Sequence, residues 1–139
     1  MKYILSLSLL TFFLSSAMIQ EKTIKKPKLS NYRADSGKII YETYCLACHQ
    51  EDGSGVPNMN PPLIKTDWVL GDSVRLINVI LKGLKDTEID GDSYSNEMPA
   101  HDFLTDVQIS EVLTFVRKSF GNQASAISSQ AVKREREKK

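Results

Sequence analysis

The stretch of residues 41–50, "YETYCLACHQ", contains both cysteines of the chain, Cys45 and Cys48, and one of its two histidines, His49. Apolar residues just before it recur at helical spacing, so we expect a helix to run into it. On a helix, positions i, i+3 and i+4 are neighbours on one face. The three side chains therefore point the same way, which suits them to holding one object against that face.

The pattern C-x-x-C-H is typical of a covalent haem site, in which two thioether bonds hold the porphyrin and the imidazole binds the iron. A structural zinc site needs four protein ligands, and only His101 remains as a fourth. A thioredoxin-like pair lies at the start of a helix that follows a strand, whereas this pair comes late in a helix. A plain disulfide, the simplest alternative, leaves the adjacent histidine unexplained.

The haem iron of an electron carrier usually takes a second axial ligand, and the candidates are Met59, Met98 and His101. Met59 follows His49 by ten residues, in a loop whose Pro61 carbonyl can accept the second imidazole N–H. A loop that serves the histidine side of the ring cannot easily reach the other side. Met98 lies 49 residues after His49, which is enough chain to pass round the ring edge. We therefore favour Met98 over His101 and Met59.

The first residues, "MKYILSLSLLTFFLSSAMIQ", have the pattern of a secretory signal peptide, with Lys2, an apolar run and a small-residue cleavage site. The apolar run of residues 3–14 is shorter than the roughly 20 apolar residues that span a bilayer. We predict that residues 1–17 form the signal peptide and that the chain is exported to the bacterial periplasm. An uncleaved segment would instead anchor the chain on the outer face of the cytoplasmic membrane.

The net charge of +1 hides a segregation of charge along the chain. Residues 29–122 carry 8 basic and 14 acidic residues, and the segments on either side are net basic. Residues 18–34 lack hydrophobic periodicity and predict a flexible basic tether. Residues 123–139 offer no apolar face to bury and predict a charged, disordered tail. The folded domain is then expected at residues 35–122.

Hydrophobic spacing and capping residues predict three main helices in this domain. The first begins near Ser36, an N-cap residue, and runs into the cysteines. The second begins at Ser73 and stops at Gly83. The last begins with a capping-box pattern at residues 105–108 and ends at Gly121. Its apolar residues recur at helical spacing at Ile109, Val112, Leu113, Val116 and Phe120.

The connections between these helices are long and rich in turn residues. The Asp90-Gly91 pair is compatible with one short β-hairpin near residues 88–94. The sequence therefore predicts an all-α fold with three main helices and long loops. Loops of this length in a compact domain need something that fills the centre, as a haem would.

Over residues 36–122 the chain resembles the class I c-type cytochromes, in particular small bacterial monohaem domains. The motifs that carry the resemblance are "GKIIYETYCLACH", "GSGVPNMNPPL", "DWV", "LKGL", "YSNEMPAHDFLTD" and "VLTFVRKSFGN". The resemblance implies a cytochrome c fold wrapped around one covalent haem c, attached through Cys45 and Cys48. It also implies that His49 and Met98 bind the iron.

The resemblance extends to residues around the haem. It implies that the Pro61 carbonyl accepts a hydrogen bond from His49 and that Leu63 lies against the histidine-side face of the ring. It also implies that the first and last helices cross and pack. Two roles stay open for Trp68, a hydrogen bond from its indole N–H to a haem propionate or an aromatic wedge in the core. Two roles also stay open for Arg75, an approach to a haem propionate and a solvated surface charge, and we favour the second.

These inferences predict an exported carrier of single electrons, not an enzyme, that exchanges electrons with redox proteins. A periplasmic dehydrogenase or a terminal oxidase would be its partner, or the complex of which it is the electron-transfer subunit. Two alternatives stay open. The first is a haem protein whose labile distal ligand lets it bind or transform small molecules. The second is a haem-free binding module that a disulfide stabilises. The net negative charge of residues 29–122 indicates no nucleic-acid partner. Membrane contact is expected only through the basic arms or an uncleaved signal anchor.

Overall fold

The computed structural model describes residues 29–138, with side chains from Asp35 onward. The expected signal peptide at residues 1–17 and the first part of the expected tether lie outside the described residues. The described part folds into six helices: α1 (Leu29–Tyr44), α2 (Leu46–His49), α3 (Asp67–Leu70), α4 (Ser73–Lys82), α5 (Asp106–Lys118) and α6 (Ser129–Glu137). Within residues 29–138 no helix is long and apolar enough to cross a membrane.

The prediction of an all-α fold is confirmed, and its three main helices are α1, α4 and α5. Helix α1 begins at Leu29 and not near Ser36, so the end of the expected tether is helical. Residues 29–35 contain neither glycine nor proline, so nothing in them ends a helix that extends backward from residue 36.

The caps of the two later helices follow local hydrogen-bonding rules. The N-cap of α4 is Asp72 and not Ser73, because the Asp72 carboxylate accepts a 2.8 Å hydrogen bond from the Val74 N–H. The expected capping box of α5 is confirmed between Thr105 and Gln108. Helix α5 ends at Lys118, earlier than expected.

The expected hairpin near residues 88–94 is reduced to one antiparallel bridge. Ile89 and Asp92 exchange two backbone hydrogen bonds of 2.9 and 3.1 Å around the Asp90-Gly91 pair. Both turn residues have positive φ, 54° and 90°, as a tight hairpin turn requires. The turn predicted at Asp90-Gly91 is therefore present, but the flanking residues do not continue as strands.

The core forms where α1 crosses α5. Gly37 lies against the backbone of Glu111, and a Cβ at this position would lie only 2.9 Å from the Phe115 Cβ. One turn further along α1, the buried ring of Tyr41 lies 5.4 Å from the Phe115 ring and 5.3 Å from the Phe120 ring. This close crossing, which the resemblance implied, fixes the end of α1 from which the cysteine motif continues.

The prediction of a disordered tail is wrong for residues 127–137. Ile127 is 8% exposed and Val132 is fully buried, and both belong to the same core as α4 and α5. The Thr114 hydroxyl accepts a hydrogen bond from the Ile127 N–H and donates one to the Ile127 carbonyl. Helix α6 needs no broad apolar face, because the buried side chains of Ile127 and Val132 and these hydrogen bonds hold it against the core.

A buried carboxylate on α6 makes the stability of this helix depend on pH. Glu135 accepts hydrogen bonds from Lys138 (2.6 Å) and Asn78 of α4 (3.3 Å). The hydrogen bond from Lys138 is the largest cause that holds the pKa of Glu135 below its usual value. The carboxylate therefore stabilises the fold above the unfolded-state pKa of about 4.3, and this contribution is lost as the pH falls through the lowered pKa.

We expect Glu135→Gln to lower the free energy of unfolding at about pH 7 and to have little effect at about pH 3. Urea unfolding at both pH values measures the difference. Glu137→Gln is the matched control, since Glu137 makes only an exposed ion pair with Lys133, at 3.7 Å. A loss of stability in Glu135→Gln that is equal at both pH values would contradict the assignment.

Candidate functional site

A largely apolar cleft of about 1250 Å³, counting the part open to solvent, lies in the middle of the molecule. A concave and mostly apolar cleft with a few polar groups in its lining is the usual form of a cofactor site. Residues from α2 to α5 and from the loops between them line it. The apolar lining includes Leu63, Val69, Leu76, Val79, Ile80, Leu84, Ile89, Val112, Leu113 and Val116.

Cys45, Cys48 and His49 lie together on one wall of the cleft. Cys45 joins α1 to α2, because its N–H donates to the Tyr41 carbonyl (2.8 Å) and its carbonyl accepts from the His49 N–H (2.9 Å). The helical turn thus continues through the motif and brings the three side chains to one side. Both cysteines are free thiols, and burial is the main cause that raises the pKa of Cys45 to about 11.

His49 is held as a neutral imidazole with one nitrogen free. Its ring is 8% exposed, and its Nδ1 lies 3.0 Å from the Pro61 carbonyl oxygen. Burial is the largest cause that lowers the pKa of His49, and it outweighs the opposing effect of the bond to Pro61. A carbonyl only accepts, so Nδ1 carries the proton and donates. The lone pair of Nε2 is then available for a metal.

A tight loop brings Pro61 under the imidazole. The Gly55 N–H donates to the His49 carbonyl (3.1 Å), and the Leu63 N–H donates to the Gly53 carbonyl (2.7 Å). Gly55 has a φ of 68°, and a Cβ there would lie 2.6 Å from the Pro61 oxygen. Glycine is needed at this position for both its backbone conformation and the close approach.

Asn122 fixes the Leu63 segment, and the sequence analysis did not identify it. Its amide donates to the carbonyls of Leu63 and Val116 and accepts from the Lys65 N–H, each at 2.8 Å. The side chain is 3% exposed. An asparagine just after a helix resembles an ordinary turn residue, and no local pattern reveals partners almost sixty positions away.

Met98 and His101 line the cleft, whereas Met59 is 45% exposed and is not part of the lining. Met98 forms an antiparallel bridge with Leu84, in which two backbone hydrogen bonds of 2.8 and 2.9 Å hold its main chain. Its side chain is half-buried against the core. His101 Nδ1 is 2.9 Å from the Pro99 carbonyl oxygen. The structure therefore brings two of the three candidate distal ligands to the cleft.

A model of the cytochrome c family matches residues 34–120, well over half of the chain. The chain belongs to the cytochrome c family. Membership implies a covalently bound haem c with its iron. The matched region contains the whole cysteine motif and the Met98 segment, whereas α6 lies beyond it.

Several curated cytochromes are similar to this cytochrome. It is 33% identical to the "Cbb3-type cytochrome c oxidase subunit CcoP" of Rhodobacter capsulatus over 70% of this chain and 34% of that protein. It is 30% identical to the "Gluconate 2-dehydrogenase cytochrome c subunit" of Pantoea cypripedii over 77% of this chain and 25% of that protein. With cytochrome c-552 of Thermus thermophilus it shares 34% identity over 65% of this chain and 71% of that protein.

The chain thus spans about a third or less of the length of the oxidase and dehydrogenase subunits. These relatives are named as a subunit of a cytochrome c oxidase and as cytochrome subunits of dehydrogenases, which is consistent with a carrier of electrons.

Trp68 and Arg75 pack against each other beside the cleft. Trp68 lines the cleft, and the Arg75 guanidinium lies 4.4 Å from the centroid of its ring. Arg75 Nη2 donates to the Asp67 carbonyl (2.8 Å), but Arg75 Nε is buried without a partner, the only such side-chain atom in residues 35–138. Arg75 is therefore partly buried against Trp68 and is not simply a solvated surface charge. Arg75 itself does not belong to the lining of the cleft.

Proposed function

We propose that this chain is an exported electron carrier with one haem c, attached through Cys45 and Cys48 and ligated by His49 and Met98. One observation carries the proposal: a single apolar cleft has the two thiols and the imidazole on one wall and the Met98 thioether in its lining. Haem c supplies one-electron exchange at its iron when bound. The protein contributes the ligands, their orientation and the exclusion of water.

On the histidine side, Pro61 and Leu63 have separate tasks. The Pro61 carbonyl holds the Nδ1–H of His49, which fixes both the ring orientation and the tautomer. Leu63 presents an apolar surface to the same side of the cleft, and Asn122 fixes its backbone. Together they hold the imidazole so that its Nε2 lone pair stays available for the iron.

On the other side, the contacts favour Met98 over His101 as the distal ligand. The main chain of Met98 is held at both its N–H and its carbonyl by Leu84. His101 packs with the exposed rings of Tyr44 and Phe103, at 6.5 and 5.6 Å between centroids, and so belongs to a surface aromatic cluster. A methionine thioether together with a histidine imidazole would raise the reduction potential of a bound haem, as expected for an electron carrier.

Electron exchange is proposed to occur where the cleft reaches the surface. Cys48 is exposed and lines the cleft together with Tyr44. The Tyr44 ring lies 5.4 Å from the Phe103 ring, and these two residues are 44% and 62% exposed. The net negative charge of residues 29–122 favours a redox partner with a basic docking surface. Such a complex buries a small interface, and its formation is sensitive to salt. The partner is proposed to be a periplasmic dehydrogenase or a terminal oxidase, the kinds of complex to which the named relatives belong. Trp68 and Arg75 are proposed to bind a propionate.

A carrier of this kind is expected to titrate as a reversible one-electron couple and to leave its reduced iron closed to small ligands. A potentiometric titration followed by visible absorption tests the first property, and adding carbon monoxide to the reduced protein tests the second. Rapid carbon monoxide binding, or steady peroxide turnover, would instead support a haem protein with a labile distal ligand. It would overturn the assignment as a pure carrier.

A further inference from the structure

Helix α6 reaches back to the segment that follows Met98. The Arg136 guanidinium donates hydrogen bonds to the carbonyl oxygens of Asp102 (2.7 Å) and Leu104 (2.6 Å). It also forms a 2.7 Å ion pair with the Asp106 carboxylate, in which both side chains are about one-third exposed, at 33% and 29%. Arg136 therefore holds three successive points of the connection from Met98 to α5.

Arg136 can act as a clamp because α6 is itself fixed. Val132 is fully buried one turn earlier in the helix. Glu135, next to Arg136, hydrogen-bonds Asn78 of α4 at 3.3 Å. The base of the helix is held to α5 through the paired hydrogen bonds of Thr114 and Ile127. The guanidinium thus extends from a rigid element and not from a loose tail.

The segment that Arg136 holds has few other attachments on this side. Upstream, Met98 is tied to Leu84, and the His101 N–H donates to the Ile80 carbonyl at 2.7 Å. Downstream, Phe103 is 62% exposed and its ring contacts the rings of Tyr44 and His101, whereas the Leu104 side chain is buried in the core. Hydrogen bonds from a charged donor to two backbone carbonyls therefore account for much of its restraint.

We propose that Arg136 is a positioning residue for the distal ligand: by holding the carbonyls of Asp102 and Leu104, it keeps the Met98 segment closed over the cleft. This inference rests on the proposed role of Met98. It gives α6, which lies beyond the family match at residues 34–120, a task in the electron-transfer site. If α6 detached from the core, the Met98 segment would become more mobile, whereas the cysteine motif would keep its contacts.

The test compares Arg136→Gln with Arg136→Lys and with Lys133→Gln in the holoprotein. Lys133 is the matched control, because it lies on the same helix and makes only an exposed ion pair with Glu137. The first measurement is amide hydrogen exchange at Leu84, Met98 and His101, whose N–H groups form the bonds of the segment. The second is the rate at which the reduced protein binds carbon monoxide.

We expect Arg136→Gln to raise the amide exchange rates of Leu84, Met98 and His101, here called loop exchange, by about tenfold or more, since it removes charge-assisted hydrogen bonds. The rate of carbon monoxide binding should rise by a similar factor. Arg136→Lys should recover part of the loss, and Lys133→Gln should stay within about twofold of the parent protein. Amides inside α5 serve as the reference. Loop exchange that is unchanged, or that rises only as much as exchange in α5, would overturn the proposal, because a general loss of stability affects both.

The two measurements separate this proposal from the proposed function. If the parent protein already binds carbon monoxide as fast as a Met98→Ala variant, the assignment of Met98 as ligand fails. Loop exchange still decides the Arg136 contact in that case: a selective rise supports the clamp as a restraint on the segment, and no rise refutes it.

Discussion

Met98→Ala is expected to keep its haem covalently attached and to lose the six-coordinate low-spin spectrum of the oxidised protein. The proposed attachment through Cys45 and Cys48 is left intact, whereas the proposed sulfur ligand is removed. The reduction potential should fall by on the order of 100 mV, within the range of about 0.8 V that axial ligands set. Near-infrared absorption, where the sulfur-to-iron band appears, and potentiometry measure the two effects.

Met59→Ala is the matched control for this experiment. Met59 is a methionine of the same domain, but it is 45% exposed and lies outside the lining of the cleft. It should therefore keep both the band and the potential of the parent protein. A sulfur-to-iron band that survives in Met98→Ala, or that disappears in Met59→Ala, would refute the ligand assignment.

Arg117→Met is expected to cause the largest loss of stability among single substitutions away from the haem ligands. Arg117 is 3% exposed and donates to the carbonyl oxygens of Val69 (2.6 Å), Gly71 (3.2 Å) and Ser125 (2.8 Å). It joins α3, α5 and the segment that leads to α6. Methionine fills a similar volume but leaves these carbonyls without their donor, at a cost of about 3 kcal/mol or more.

Urea unfolding of the holoprotein measures this loss. Lys118→Met is the control, because Lys118 is the next residue of α5 but is exposed and donates only to the Ala124 carbonyl, at 3.1 Å. Its effect should stay within about 0.5 kcal/mol. Equal effects of the two substitutions would mean that the buried hydrogen bonds of Arg117 do not stabilise the fold as described.

Features set by short stretches of chain could be predicted from the sequence. The helical spacing of Cys45, Cys48 and His49 requires only that helical turns continue through the motif, and they do so across the junction of α1 and α2. The capping box of α5 and the stop of α4 at Gly83 likewise depend on neighbours within one turn. In each case the local hydrogen-bonding pattern decides the structure, and no distant partner is needed.

Features that depend on distant partners were missed. Helix α6 has too few apolar residues to show a face in its sequence, and it folds because Ile127 and Val132 find a groove formed by other helices. Arg117 and Asn122 are buried polar residues whose acceptors lie on other elements. Arg75 looked like a surface charge because nothing in its own helix reveals that Trp68 covers it. Such contacts follow from packing and not from spacing along the chain.

The central claim is that one haem c is attached through the two cysteines of the motif at residues 45–49. The most direct measurement is the intact mass of the purified chain in denaturing acidic solvent, after expression in a host that matures c-type cytochromes. We expect the mass of the polypeptide plus a single haem, because thioether bonds survive conditions that extract a non-covalent haem. A mass that equals the polypeptide alone would contradict the account.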